Sequence, residues 1–194
     1  MTNAPAFNPV LLDIPDRLET ARLDLRAPRP GDGEMLFASV QESLESLRRF
    51  PASMTWAVGE QTAAQAEDFC RRSAANWILR TDFPFLLFLR ETGEHVGNCG
   101  LHRFDWETRV FEIGWWGRSR FQGRGYVTEA AAAITGFAFG ALGARRVWCF
   151  SDELNERSWR VAERLGFRHE GTLVSERGDP DGTRRNMRLY AATR

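Results

Sequence analysis

Arg120-Phe121-Gln122-Gly123-Arg124-Gly125-Tyr126-Val127-Thr128-Glu129-Ala130 is the stretch that decides the fold. An apolar, strand-like run from Val110 to Trp116 leads into it, and a helix-like run from Thr128 to Phe139 leads out. Two glycines one residue apart let the backbone approach a ligand with no Cβ in the way. The following helix adds unpaired N–H groups and the positive end of its dipole. This pattern predicts a turn that holds phosphate through backbone amides.

Residue types that are missing narrow the ligand. The chain has 26 basic residues and all are arginine. A nucleotide-hydrolysing P-loop ends in Gly-Lys-Ser/Thr, whose lysine reaches the outer phosphates. Here Gly123-Arg124-Gly125-Tyr126 stands in that place. A dinucleotide fingerprint needs a third Gly or Ala three residues after the second glycine, and an acidic residue about 20 residues on. Thr128 occupies the first of those positions, and the apolar run Val147 to Phe150 lies near the second. Lysine Schiff-base chemistry is excluded outright.

Working outward, the 194 residues read as one domain, residues 17–194, preceded by a flexible N-terminal arm over residues 1–16. Arg22 to Arg26 alternates polar and apolar, as a half-buried strand does. Pro30 to Leu47 reads as a helix with Met35, Leu36, Val40, Leu44 and Leu47 on one face. Thr62 and Gln65 form a capping box for a second helix running to Leu79. Strands follow at Phe83 to Arg90, His95 to Phe104 and Val110 to Trp116, as an antiparallel meander. After the glycine turn and its helix come a strand (Arg146 to Ser151), a short helix (Glu156 to Leu165) and two strands (Phe167 to Ser175, Arg185 to Ala191). The order predicts an α/β (α+β) domain with a mixed, mostly antiparallel central sheet flanked by helices.

Zero net charge argues against a nucleic-acid partner. No apolar run approaches the roughly 20 residues of a membrane span, and the first residues lack the charged and apolar regions of a signal peptide. A cytoplasmic protein without a membrane partner is expected. Cys70, Cys99 and Cys149 are widely spaced, and with His95, His102 and His169 they give no metal-ligand spacing, so no metal is expected. A C-terminal edge strand could pair across a homodimer.

The strand, glycine turn, long helix and strand, followed by Asn155-Glu156-Arg157-Ser158 and Glu163-Arg164-Leu165-Gly166-Phe167, resemble the GNAT superfamily of acetyl-CoA-dependent N-acetyltransferases. Leu18 to Arg26, Glu112-Ile113-Gly114-Trp115-Trp116 and Asn155-x-x-Ser158 resemble its RimJ/RimL branch, the ribosomal-protein N-terminal acetyltransferases. The resemblance spans residues 17–192. It implies a GNAT-like fold with a splayed strand pair and acetyl-CoA as co-substrate. The turn would wrap the coenzyme A pyrophosphate from Arg120 through Gln122, Gly123, Arg124 and Gly125. Amides as far as Tyr126 and Val127 would donate, and Thr128 would add a hydroxyl. The pantetheine arm would pair with strand backbone at Trp115, Trp116, Gly117 and Arg118, between the strand ending at Trp116 and the one near Phe150.

Asn155 is a candidate to bond the pantetheine amide, and Ser158 to bond the leaving sulfur. Both residues also suit a helix cap and first turn. Glu112, on the strand leading into the splay, and Glu176, after the Leu-Gly-Phe strand, are candidate general bases. An α-amine is acidic enough that a water chain could serve instead. The acceptor side is expected to draw on Glu42, Ser43, Trp56, Phe85, His102, Arg103, Asp105 and Trp106, with His102 a candidate proton shuttle. The reading is direct acetyl transfer to a primary amine, foremost a protein or peptide N-terminus. A small amine such as an aminoglycoside or polyamine, and a non-catalytic acyl-CoA sensor, remain alternatives.

Overall fold

The computed structural model describes residues 7–194, so the first six residues of the expected arm lie outside it. The described part of that arm packs against the domain. Asn8 caps a 3₁₀ turn over Pro9–Leu11, accepting from the Val10 amide at 3.1 Å. The Leu12 carbonyl accepts from Arg80 at 2.8 Å, and the Phe7 ring lies 5.6 Å from that of Trp106.

Where one strand was expected near residue 22, two form: β1 (Arg17–Glu19) and β2 (Leu23–Arg26), an antiparallel pair turned at Thr20-Ala21. Leu23 and Leu25 are fully buried while Asp24 and Arg26 are half-buried, the alternation that a one-faced strand requires. α1 (Gly33–Leu47) buries Leu36, Val40 and Leu47 on one stripe. α2 (Ala63–Leu79) starts at the expected capping box, with Thr62 and Gln65 satisfying each other's backbone amides. β3 (Phe83–Leu89), β4 (His95–Asp105) and β5 (Val110–Gly117) form the antiparallel meander. β3 is apolar along its length and buried on both faces: Phe83, Phe85, Leu86 and Leu87 have no exposed surface.

α3 (Tyr126–Gly140) crosses over to β6 (Arg146–Asp152), so β5 and β6 run parallel, the one parallel pair among the described residues. α4 (Glu156–Arg164), β7 (Arg168–Gly178) and β8 (Arg184–Thr193) complete the chain. The eight strands run in the order β1-β2-β3-β4-β5-β6-β8-β7, with β7 at the outer edge. One cluster, including Phe111, Ile113, Ile134, Phe137 and Val147, fills the face beneath α3 and α4. A second, with Leu36, Val40, Leu86 and Trp116, lies beneath α1.

The sheet opens where the resemblance implied. β5 and β6 pair only at Val110 with Arg146, Phe111 with Val147 and Glu112 with Trp148. Beyond that point β5 stays paired with β4 through Gly117, and β6 with β8 through Asp152. Ile113–Gly117 therefore presents a strand edge to an internal gap.

Candidate active site

A 3₁₀ turn at Ser119–Phe121 carries the chain from β5 to the glycines. Gly123 and Gly125 have φ of 79° and 80°, a left-handed conformation that glycine adopts without a Cβ clash. Gly125 is itself the N-cap, so α3 begins at Tyr126, two residues before the expected start. The amides from Gly123 through Thr128 have no acceptor among the described residues. They surround the N-terminal end of α3, an arrangement fitted to phosphate.

Arg22, in the bend just before β2, braces this turn. Its Nε bonds Glu129 at 2.6 Å, its Nη1 bonds the Arg124 carbonyl at 3.0 Å, and its guanidinium lies 4.7 Å from the Tyr126 ring centroid. Burial pushes the Glu129 carboxyl up, but hydrogen bonds from Thr20 and Arg22 outweigh it and hold the group below its ordinary value.

A cavity of about 910 Å³ runs along the turn and α4. Arg49, Arg157 and Arg164 line it and have no ion-pair partner among the described residues, which suits a ligand with several phosphates. The side chains of Arg118, Arg120 and Arg124 do not line it. Arg118 bonds Glu42 at 2.8 Å, Arg120 bonds Glu94 at 2.8 Å, and Arg124 lies 5.5 Å from the Phe121 ring. Gln122, Gly123, Gly125, Tyr126, Val127 and Thr128 do line the cavity, with Trp115, Trp116 and Gly117.

A second cavity, of about 770 Å³, lies on the other side of the splay. The two share Met54, Trp115, Trp116, Asn155 and Ser158. At this junction the Asn155 side-chain oxygen caps α4, accepting from the Ser158 amide at 3.3 Å. The Ser158 hydroxyl lies 3.0 Å from that of Ser151. Trp115 Nε1 is buried without a partner, an orphan donor between the two cavities.

The second cavity is walled by Trp56, Phe69, Trp116 and Phe150 and floored by polar groups of the sheet. Glu112 is 6 % exposed and accepts from Arg103 Nε at 2.6 Å and from Arg103 Nη2, so both its oxygens are engaged. Glu176 is exposed on β7 and lines neither cavity. Of the expected acceptor residues, Trp56, His102 and Arg103 line this cavity. Glu42 and Ser43 instead hold the exit of β5, Ser43 accepting from the Ser119 amide at 3.1 Å. Phe85 is core, Asp105 accepts from the Glu107 amide at 2.7 Å, and Trp106 bonds the Arg80 carbonyl.

Two groups here went unmarked in the sequence. Asp82 Oδ1 accepts from His102 Nδ1 at 2.7 Å, and Arg177 reaches in from β7. The antiparallel meander held the signal for Asp82: the pairing of Phe83 with Leu101 brings its neighbour beside His102. The three cysteines are buried and free. Burial pushes the thiols of Cys70 and Cys149 up to about 12, and that of Cys99 up further, so none is poised as a nucleophile. Among the described residues no cluster could hold a metal ion, and no helix is long and apolar enough to cross a membrane.

The acetyltransferase (GNAT) domain family matches residues 22–168, from β2 to the start of β7. The chain belongs to the GNAT acetyltransferase family. It is 38% identical over 79 residues to the "Putative ribosomal N-acetyltransferase YdaF" of Bacillus subtilis (strain 168), a match covering 41% of this chain and 43% of that protein. It is 28% identical over 156 residues to the "Uncharacterized N-acetyltransferase YoaA" of the same organism, covering 80% and 85%. The crystal structure of RimL, a ribosomal L7/L12 α-N-protein acetyltransferase in complex with coenzyme A, superposes with a TM-score of 0.81 at 21% identity, covering 93% of this chain and 97% of that one. The GNAT fold expected from the sequence is the fold observed.

Proposed function

We propose that this GNAT acetyltransferase moves the acetyl group of acetyl-CoA directly to the N-terminal α-amine of a protein or peptide. The observation that carries the reading is the open β5 edge, Ile113–Gly117, set between two cavities that meet at Ser158. The amides from Gly123 to Thr128 would hold the pyrophosphate, with Arg49, Arg157 and Arg164 available to its remaining phosphate charge. An extended pantetheine amide chain would complete the gap as a strand would. The Trp115 indole N–H and the Asn155 side-chain amide are the polar groups available along that route.

Acetyl transfer forms a C–N bond and breaks a C–S bond, and the sulfur leaves more readily when a donor meets its developing charge. Ser158, between the cavities, is the side chain assigned that part. Direct attack is favoured over an acyl-enzyme because the thiols are buried with raised pKa values. The acceptor cavity is of a size that admits a peptide end rather than only a small amine. The names of YdaF and RimL support the same acceptor class.

The test is thiol release from acetyl-CoA with panels of N-terminal peptides, aminoglycosides, polyamines and amino acids. Turnover with peptides alone supports the reading. Turnover only with small amines replaces the acceptor, and tight coenzyme A binding with no turnover on any amine leaves a sensor.

A further inference from the structure

The acceptor cavity contains an imidazole that the cofactor-side chemistry does not use. His102 lies on β4, two residues beyond Gly100 and directly opposite Glu112. Gly100 and Gly114 pair across β4 and β5, and the imidazole lies over both. A Cβ on Gly100 would come within 3.1 Å of its Cε1, and one on Gly114 within 3.5 Å of Cδ2 and 3.8 Å of Nε2. The two glycines thus form a flat floor that lets the ring reach from the paired part of the sheet into the splay. Gly114 is already beyond the last β5–β6 pair, so Nε2 lies at the mouth of the gap.

Asp82 fixes the ring from behind, 2.7 Å from Nδ1. A carboxylate only accepts, so Nδ1 carries a proton, and in the neutral ring the lone pair falls on Nε2. Nε2 has no protein partner among the described residues, and the ring lines the cavity. Glu112, the neighbouring carboxylate, has both oxygens engaged by Arg103. We infer that His102, oriented by Asp82, is the general base that takes the proton from the acceptor amine. This rests on the transferase reading above.

The acceptor ammonium gives one proton to Nε2, and its freed electron pair forms the bond to the thioester carbon. The C–S pair returns to sulfur, which takes the second nitrogen proton through the Ser158 hydroxyl. The imidazolium then releases its proton to solvent. Besides Asp82, the charged groups around this ring are the Arg103–Glu112 pair, Glu60, Arg177, and Asp152, which is bound by Arg185 at 2.8 and 2.9 Å.

The experiment compares wild-type, His102→Gln, Asp82→Asn and Glu112→Gln in kcat/KM against pH, with coenzyme A affinity measured alongside. His102→Gln is expected to lower kcat by roughly 10²-fold or more and to abolish the acid limb of the profile, with coenzyme A affinity unchanged. Asp82→Asn is expected to give a smaller fall and a shifted limb, while Glu112→Gln keeps the limb. Partial rescue of His102→Ala by free imidazole would support the same assignment. A wild-type protein that turns over while His102→Gln retains its rate and acid limb overturns the base assignment alone. A wild-type protein that releases no thiol with any amine overturns the transferase reading, and this inference with it.

Discussion

The two cavities that meet at Ser158 are built from different materials. The side proposed for the donor is built chiefly of backbone, with consecutive amides, two left-handed glycines and a helix end rimmed by arginines. The acceptor side is made of side chains brought together from distant strands: Asp82 with His102, Arg103 with Glu112, and Arg177 over Phe150. A backbone site depends on local conformation and is written in adjacent letters. A side-chain site depends on register and can be changed one residue at a time.

Acid should break the comparison most strongly, because a titratable group is buried beside Trp116, which lines both cavities. His95 is 1 % exposed, held between the Ser39 hydroxyl at 2.9 Å and the Asn98 side-chain oxygen at 2.8 Å. Its carbonyl accepts from Arg118, at the exit of β5. Burial pushes the imidazole down to about 4. The folded value lies below the unfolded one, so the unfolded chain takes up the proton first as pH falls. The stability this group contributes is complete above about pH 6.5 and is lost progressively down to about pH 4, on the order of 3 kcal/mol. Denaturant titrations at several pH values should show that slope in the wild type and its absence in His95→Gln.

Ser158→Ala strikes the junction. Turnover is expected to fall on the order of 10²-fold while acetyl-CoA affinity stays within about twofold. An equal loss in both would make Ser158 only a first-turn residue of α4.

Gly125→Val probes the backbone side alone. A β-branched residue at φ 80° adds about 1–3 kcal/mol of strain, and its Cβ would lie 3.5 Å from the Arg22 guanidinium. Coenzyme A binding by calorimetry should weaken about tenfold to a hundredfold in a folded protein. Unchanged affinity would refute the account of the turn. The smallest effect is expected for Arg157→Gln, which removes one exposed cation bonded only to Gln122 at 3.1 Å. Coenzyme A should bind about threefold more weakly, with the difference shrinking as salt is added.

The same division explains what the sequence disclosed. The glycine turn, the Thr62 capping box and the β3–β5 meander are local patterns, and all three are present. The extra strand β1 was hidden because three residues carry too little periodicity, and it exists by pairing with β2. Arg120 was expected in the phosphate turn and Arg118 in the strand backbone beside the pantetheine arm, while the partners of their side chains, Glu94 and Glu42, lie far away in sequence and left no local signal. Glu112 was placed on the correct strand, while its engagement by Arg103 depends on the β4–β5 register. Glu176 shares a strand with Arg177, yet the irregular pairing between Leu173 and Arg177 leaves only the arginine in the cavity wall.

An ordinary open sheet ends in two unpaired margins. Among the described residues this one has four: β1, β7, and the two facing sides of the gap beyond Glu112 and Trp148. The inner pair faces itself, so one extended chain that offers amides at strand spacing could close both sides at once. A donor bound in the gap as proposed would act as a ninth strand, contributing to the cohesion of the sheet as well as to its chemistry. Such a fold should become stiffer when loaded and looser after each turnover, so that the release of spent coenzyme A is also a partial relaxation of the sheet.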